Sequence, residues 1–155
     1  MCIRDSGGGT RCNNVTGISG GLRVRCYDWT GAATNQGFSV VQIAGRRPGR
    51  RAGFAVANLP TTASYTPATN RSFNSSGGAI TATRSAVGRY RMNFAGLQKL
   101  AGATEHVQVA AIGNLLTTCT VVNWGNSANG LAANIECRNG SGQLVDSRYD
   151  VLVIE

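Results

Sequence analysis

The sequence predicts an all-β protein: a two-sheet antiparallel β-sandwich of the immunoglobulin-like or jelly-roll kind, with a partial repeat of about three strands ahead of it. Three observations predict this. Short segments rich in Val, Ile, Thr, Tyr and Phe alternate apolar with polar residues. Glycine-bearing turns separate them, drawing on 21 glycines in 155 residues. No long stretch has helical period, and no apolar run reaches the roughly 18 residues of a membrane span.

In chain order, Met1-Cys2-Ile3-Arg4-Asp5-Ser6 reads as the translation of a sequencing-library transposase adapter. Residues 1–6 are therefore expected to be an artefact, with the native chain starting near Gly7. Residues 7–45 are expected to be the C-terminal part of a preceding repeat. There Leu22, Val24 and Cys26 alternate with Arg23 and Arg25, giving an apolar and a cationic face. The run 38–43 is rich in β formers. Residues 46–52 hold Arg46, Arg47, Arg50 and Arg51 around Pro48, whose ring cannot donate to a ladder. This is the expected linker, either simply solvated or an anion-binding loop.

Residues 53–155 are expected to form one full sandwich repeat. Residues 53–58 are a short strand, 61–70 a loop or edge strand, and 71–75 and 79–84 strands joined at Ser76-Gly77-Gly78. In 88–94, Tyr90, Met92 and Phe94 should point inward and Arg89, Arg91 and Asn93 outward. Residues 95–104 are helix-like for about one or two turns. Val107, Val109 and Ala111 share one face of the next strand. Cys119, Val121 and Asn123 share a parity, as do Ala133, Ile135 and Cys137, which suits a disulfide under the sheet against Trp124 or Tyr149. Asn129-Gly130 and Asn139-Gly140 are tight-turn dipeptides.

Two segments match at a spacing of 111 residues. Counted from Cys26 and from Cys137, glycine stands at five (Gly31, Gly142), Asn or Asp at nine (Asn35, Asp146), an aromatic at twelve (Phe38, Tyr149) and valine at fourteen (Val40, Val151). This predicts a tandem repeat. The first copy has Gly17 where the second has Trp124. With Cys2 set aside as adapter-derived, Cys12, Cys26, Cys119 and Cys137 remain, one pair per copy. Thirteen and seventeen residues separate the partners, with no Cys-x-x-Cys and a single histidine. That is a poor zinc pattern. Disulfides within each copy are the simplest of three pairings, free thiols the alternative, and disulfides imply an oxidising compartment outside the cytoplasm.

The net charge of +8 comes from fifteen basic residues, fourteen of them arginine. The bias fits a GC-rich bacterial genome, and equally an affinity for polyanions. Arg23, Arg25, Arg89 and Arg91, with the 46–51 cluster, are the candidate anion-binding residues. Aromatic interleaving is too thin for single-stranded nucleic acid. No catalytic residue is assigned. His106 is expected on the outward face of a strand. Gly17-Ile18-Ser19-Gly20-Gly21 matches a nucleophile elbow but leads into a strand rather than the helix that the motif needs. Asp146 is read as a turn former, because the other copy carries Asn35 there. No cofactor and no metal are expected.

A set of motifs follows in order: Phe54-x-Val56, Pro60, Tyr65-Thr66-Pro67, the run Phe73 to Gly78, Gly88-x-Tyr90, Phe94-x-Gly96-Leu97, His106-Val107-Gln108-Val109 and Cys119…Trp124…Cys137. Together they resemble the tandem β-repeats of secreted proteins from actinobacteria, myxobacteria and related groups. The resemblance covers most of 11–155 and implies secretion and repetition. Gly88-x-Tyr90-x-x-x-Phe94 also resembles the jelly-roll heads of complement-type and phage-fibre domains. The expectation is a non-enzymatic structural or adhesive repeat of a secreted or cell-surface bacterial protein. Its expected partners are neighbouring repeats and surface glycans or other polyanions. The alternative is a polyanion- or carbohydrate-binding accessory module of a larger extracellular enzyme.

Overall fold

A computed structural model describes residues 2–5, 11–15, 23–41, 51–98, 105–113 and 116–154. The protein is an all-β sandwich, and the single helical turn among the described residues is the 3₁₀ turn Thr69–Arg71. The first four strands are β1 (Cys2–Asp5), β2 (Arg11–Val15), β3 (Arg23–Tyr27) and β4 (Phe38–Val41). Next come β5 (Ala52–Ala57), β6 (Ser64–Tyr65), β7 (Ser72–Asn74), β8 (Ile80–Ala86) and β9 (Arg89–Ala95). The last four are β10 (His106–Ile112), β11 (Thr117–Ser127), β12 (Gly130–Asn139) and β13 (Arg148–Ile154).

One sheet has the order β3-β2-β10-β13-β5-β7 and the other β11-β12-β9-β8-β6, while β1 and β4 pair with each other. The block β10-β13-β5-β7 is antiparallel. The hairpin β2–β3 joins it through one parallel pair, Asn14 opposite Ile112. The turn at Ser76-Gly77-Gly78 carries the chain from β7 in one sheet to β8 in the other. Of the helix-like 95–104, residue 95 ends β9 and 99–104 lie outside the described residues, as does most of the basic segment 46–52.

The inner faces meet in a core of Tyr90, Met92, Phe94, Ile80 and Ala82 from one sheet and Val107, Ala111, Tyr149, Val151 and Val153 from the other. Strict alternation puts these side chains on one side because a strand's side-chain period is two. Each fully buried large apolar side chain there contributes about 1.5–3 kcal/mol. The expected inward trio of β9 is buried, with Arg89 and Arg91 outside.

Both expected disulfides form: Cys12–Cys26 with S–S 2.07 Å and Cys119–Cys137 with S–S 2.01 Å. Each joins residues directly opposite across a hairpin, β2–β3 and β11–β12, with Cα atoms 4.0 Å apart. The turns that follow share one hydrogen-bond pattern. Asp28 Oδ1 accepts from the amides of Thr30 and Ala32, and Asn139 Oδ1 from those of Ser141 and Gln143. Asp28 N donates to Ala32 O and Asn139 N to Gln143 O, while Thr34 N donates to Cys26 O and Val145 N to Cys137 O. Gly31 and Gly142 hold φ of +89° and +79°, left-handed backbone that residues with a Cβ adopt only at a cost.

Several expectations need correction. Counting alternation from Cys119 puts Asn123 on the cysteine's face. A bulge at Val122 breaks the count, so Asn123 sits opposite Asn134 on the outer face. Trp124 then falls opposite Ala133 on the edge strand and is 46% exposed. Tyr149 belongs to the core around the Cys119–Cys137 disulfide, and Trp124 does not. Gly130 is not a turn residue: it pairs with Ser127 as the first residue of β12. A Cβ there would lie 2.0 Å from Phe94 O, so the close approach of β9 requires the glycine.

The six-stranded sheet carries apolar residues on its second face too, around the buried Asp150. Val56, Ala110, Ile112 and Leu152 are buried although they point away from the inner core, and Phe54 pairs with Leu152 and Phe73 on that side. The strand β1 lies against β10. Sheets covered on both faces read as nearly continuous apolar runs, as Ala52–Ala57 and Tyr149–Ile154 do here.

Candidate functional site

The sandwich separates the arginines expected to form a cationic stripe. Arg23 and Arg25 are exposed on β3, the outermost strand of the six-stranded sheet. Arg89 and Arg91 are exposed on β9, the central strand of the five-stranded sheet. Arg46, Arg47 and Arg50 lie outside the described residues. Arg51 is half-buried and donates to the carbonyls of Gln98 and, at 3.1 Å, Gly96, so it fastens the start of β5 to the end of β9.

The outer face of the five-stranded sheet is largely polar, with the buried Ala132 opposite Asn93 as an apolar exception. Arg89 Nε lies 3.1 Å from Glu136 Oε1, and Arg138 Nη2 lies 2.7 Å from Glu136 Oε2. The hydrogen bond from Arg138, and then the charge of Arg89, hold the Glu136 carboxyl below its ordinary range. Two of the cations on this face are thus committed to one carboxylate. Arg91, opposite Thr83 and Asn134, lies beside a band of amides and hydroxyls. In that band Asn134 Nδ2 donates to Asn123 Oδ1 at 2.6 Å, Ser127 Oγ to Asn93 Oδ1 at 2.6 Å, and Asn93 Nδ2 to Asn129 Oδ1 at 3.1 Å.

A second polar centre sits at one end of the sandwich. Asp146 Oδ1 accepts from Arg84 Nε (3.0 Å), the Gly88 amide (2.9 Å) and Tyr90 OH (2.9 Å), while Oδ2 accepts from Arg84 Nη2 (2.9 Å). Tyr90 OH in turn accepts from the Ser147 amide at 3.0 Å. The Arg84 guanidinium leads the effects that hold the Asp146 carboxyl down at about 2. Burial leads the effects that raise the Tyr90 hydroxyl. Asp146 is therefore not the turn former; that role belongs to Asn139 and, after the N-terminal cysteine hairpin, to Asp28. The Asp146 constellation went unnoticed in the sequence because its partners are 56 to 62 residues away.

The Asp146 site is built for holding strands together. Three donors meet Oδ1 and one meets Oδ2, from β8, the β8–β9 turn and β9, so the carboxylate ties these elements to the segment ahead of β13. Beside it, a shallow cleft is lined by Leu59, Pro60, Tyr65, Arg84, Tyr90 and Tyr149. Burial leads the upward shifts of the Tyr149 and Tyr65 hydroxyls. The Tyr149 hydroxyl is buried and makes no hydrogen bond.

His106 is exposed on β10, as expected, with its Nε2 against the Gln108 amide nitrogen. The segment 17–21 lies outside the described residues. Among the described residues no three His, Cys, Asp or Glu side chains are grouped to hold a metal, and no helix is long and apolar enough to cross a membrane. Comparison of the chain with protein-family models, with curated proteins and with solved structures returned no match.

Proposed function

We propose that this chain is a non-enzymatic structural or adhesive repeat module of a secreted or cell-surface bacterial protein. One observation carries the reading. Two disulfide-stapled hairpins, 111 residues apart at their second cysteines, are followed by turns with the same hydrogen bonds and the same left-handed glycine. Repetition of a packing unit serves length and multivalency, since each unit adds contacts chiefly with its neighbours. Cross-strand disulfides support an oxidising compartment. The experiment is mass spectrometry of the full chain, alkylated with and without reductant after export to an oxidising compartment. Quantitative Cys12–Cys26 and Cys119–Cys137 linkage is expected; free thiols in the exported protein would overturn the secreted reading.

A second reading, a polyanion- or carbohydrate-binding accessory module, is favoured by the outer face of the five-stranded sheet. Arg91 among Asn93, Asn123 and Asn134 offers one cation and several amides to a hydroxylated or sulfated chain. Arg91→Ala is expected to shorten retention on a heparin column more than Arg89→Ala, because Arg89 already faces Glu136. Equal retention of both variants and the parent would sink this second reading.

A further inference from the structure

We propose that the open edge of β11, at Val122 and Trp124, is the docking strand for β10 of a following unit, so that units join head to tail in an open chain. This rests on the repeat reading given above. The chain already contains one such junction. Strand β2 meets β10 in parallel, Asn14 opposite Ile112, and β1 lies against β10 as well. At that junction the outward residues Ala110 and Ile112 of β10 are buried, as are their neighbours Leu152 and Val56.

The internal correspondence transfers the junction to the other end of the unit. Cys12 opposite Cys26 corresponds to Cys119 opposite Cys137, so β2 corresponds to β11 and Asn14, two residues past its cysteine, corresponds to Val121. The hairpin β2–β3 thus reproduces the pairing of β11 with β12. What β2 does toward β10, β11 is built to do toward the β10 of another unit.

The state of β11 fits that role. It is the edge strand of its sheet. Although β2 also touches it, Val122 remains 55% and Trp124 46% exposed. An edge strand presenting a β-branched residue and a tryptophan invites pairing unless something covers it. One unit therefore carries an occupied acceptor, β10, and an unoccupied donor, β11. The two surfaces differ, so their union repeats without closing. The occupant is β10 and the adjoining apolar sheet face of a second copy of the 51–154 unit.

The test extends the full chain. Residues 45–155 are appended after Glu155, in a Trp29→Phe background with Trp124→Phe in the appended copy, leaving one reporter tryptophan. A blue-shifted emission and a severalfold drop in acrylamide quenching are expected relative to the single-unit chain. Val122→Lys in the first unit should restore quenching. If the appended unit folds, with its own Cys119–Cys137 linkage intact, and the reporter stays as quenchable as in the single chain, the docking proposal is overturned while the repeat reading stands. If the appended unit does not fold, the repeat reading fails and the proposal with it. If the single-unit chain dimerises with Trp124 protected, β11 pairs with β11 and the head-to-tail arrangement is overturned.

Discussion

Replacing Asp146 with asparagine isolates the most connected side chain of the sandwich. The substitution keeps the volume and one acceptor oxygen but removes the charge and turns an NH₂ toward the donors of Arg84. Four donor contacts converge on this carboxylate, from Arg84 twice, Gly88 and Tyr90. Hydrogen bonds to a charged group are worth about 1.5–3 kcal/mol each when singly broken, and losses within one network do not add. The Arg84 and Asp146 side chains retain 25% and 20% of their exposure, so the stranded guanidinium keeps some water. A net loss of about 2–3 kcal/mol follows, or roughly 10–20 °C in Tm for a unit of this size.

The pH dependence provides the sharper check. The folded pKa of Asp146 lies below its unfolded value, at about 2 against 3.8. Its contribution is therefore fully present above the unfolded value and is lost as pH falls from about 4 through about 2. The depression corresponds to at most about 2.5 kcal/mol, and solvent screening of this partly exposed pair reduces it to about 1–2 kcal/mol. Urea titrations of parent and Asp146→Asn between pH 7 and pH 2 should show a gap that narrows by that amount across this window. A variant within about 0.5 kcal/mol of the parent at pH 7, or a gap that does not change with pH, would refute the reasoning.

Other outcomes follow from single positions. Removing the Cys119–Cys137 disulfide by paired Cys→Ser exchange should cost about 3 kcal/mol from the entropy of an 18-residue closure. Graded reductant on the native protein should open Cys12–Cys26 first, since Cys12 is half-buried and Cys137 fully enclosed; the order is read by alkylation and mass spectrometry. Gly130→Ala should be among the most damaging glycine replacements, because its Cβ meets Phe94 O at 2.0 Å, and soluble yield with circular dichroism reports it. Gly31→Ala should be milder, about 1–2 kcal/mol of local strain at φ +89° with open space around it. Tyr149→Phe should raise stability by about 1 kcal/mol in urea melts, since the hydroxyl is buried without a partner.

What the sequence revealed and what it hid divide along a physical line. Alternation in β9 and the cysteine-bearing hairpins were legible because period two and nearby partners are local properties. The repeat offsets pointed at turn and core residues, yet the role of Asp146 differs from the expected one. Gly142 is the turn glycine, with φ +79°, while Asn139 supplies the side-chain cap. Asp146, further along, is spent on a contact with β8 and β9. Sequence spacing carries no record of which distant strand lies alongside. Trp124 was lost for a different reason: the bulge turns it to the face of the buried Ala133, but β11 is the edge strand and leaves it half exposed, and neither the bulge nor the edge position leaves much trace in composition. The arginine pairs were placed on outward faces correctly, but their grouping depended on which sheet each strand joined.

The misjudgement with the widest consequence concerns the second face of the six-stranded sheet. On β10 the sequence reading covers one face, Val107, Val109 and Ala111, and leaves the remainder unassigned. That remainder ends in Ala110 and Ile112, both buried. In β13, Leu152 and Ile154 follow Asp150 on the face opposite Val151 and Val153, and in β5 Phe54 and Val56 flank Ala55. A strand with one wet face should not carry such residues on it. A run that is apolar in both parities signals a sheet meant to be covered twice. A lone sandwich supplies one cover, its opposing sheet; the other must come from a further layer. Here β1 and β2 adjoin β10, where Ala110 and Ile112 of the second face are buried. The proposed docking gives the exposed Val122 and Trp124 of the edge strand β11 a partner, the β10 of a following unit.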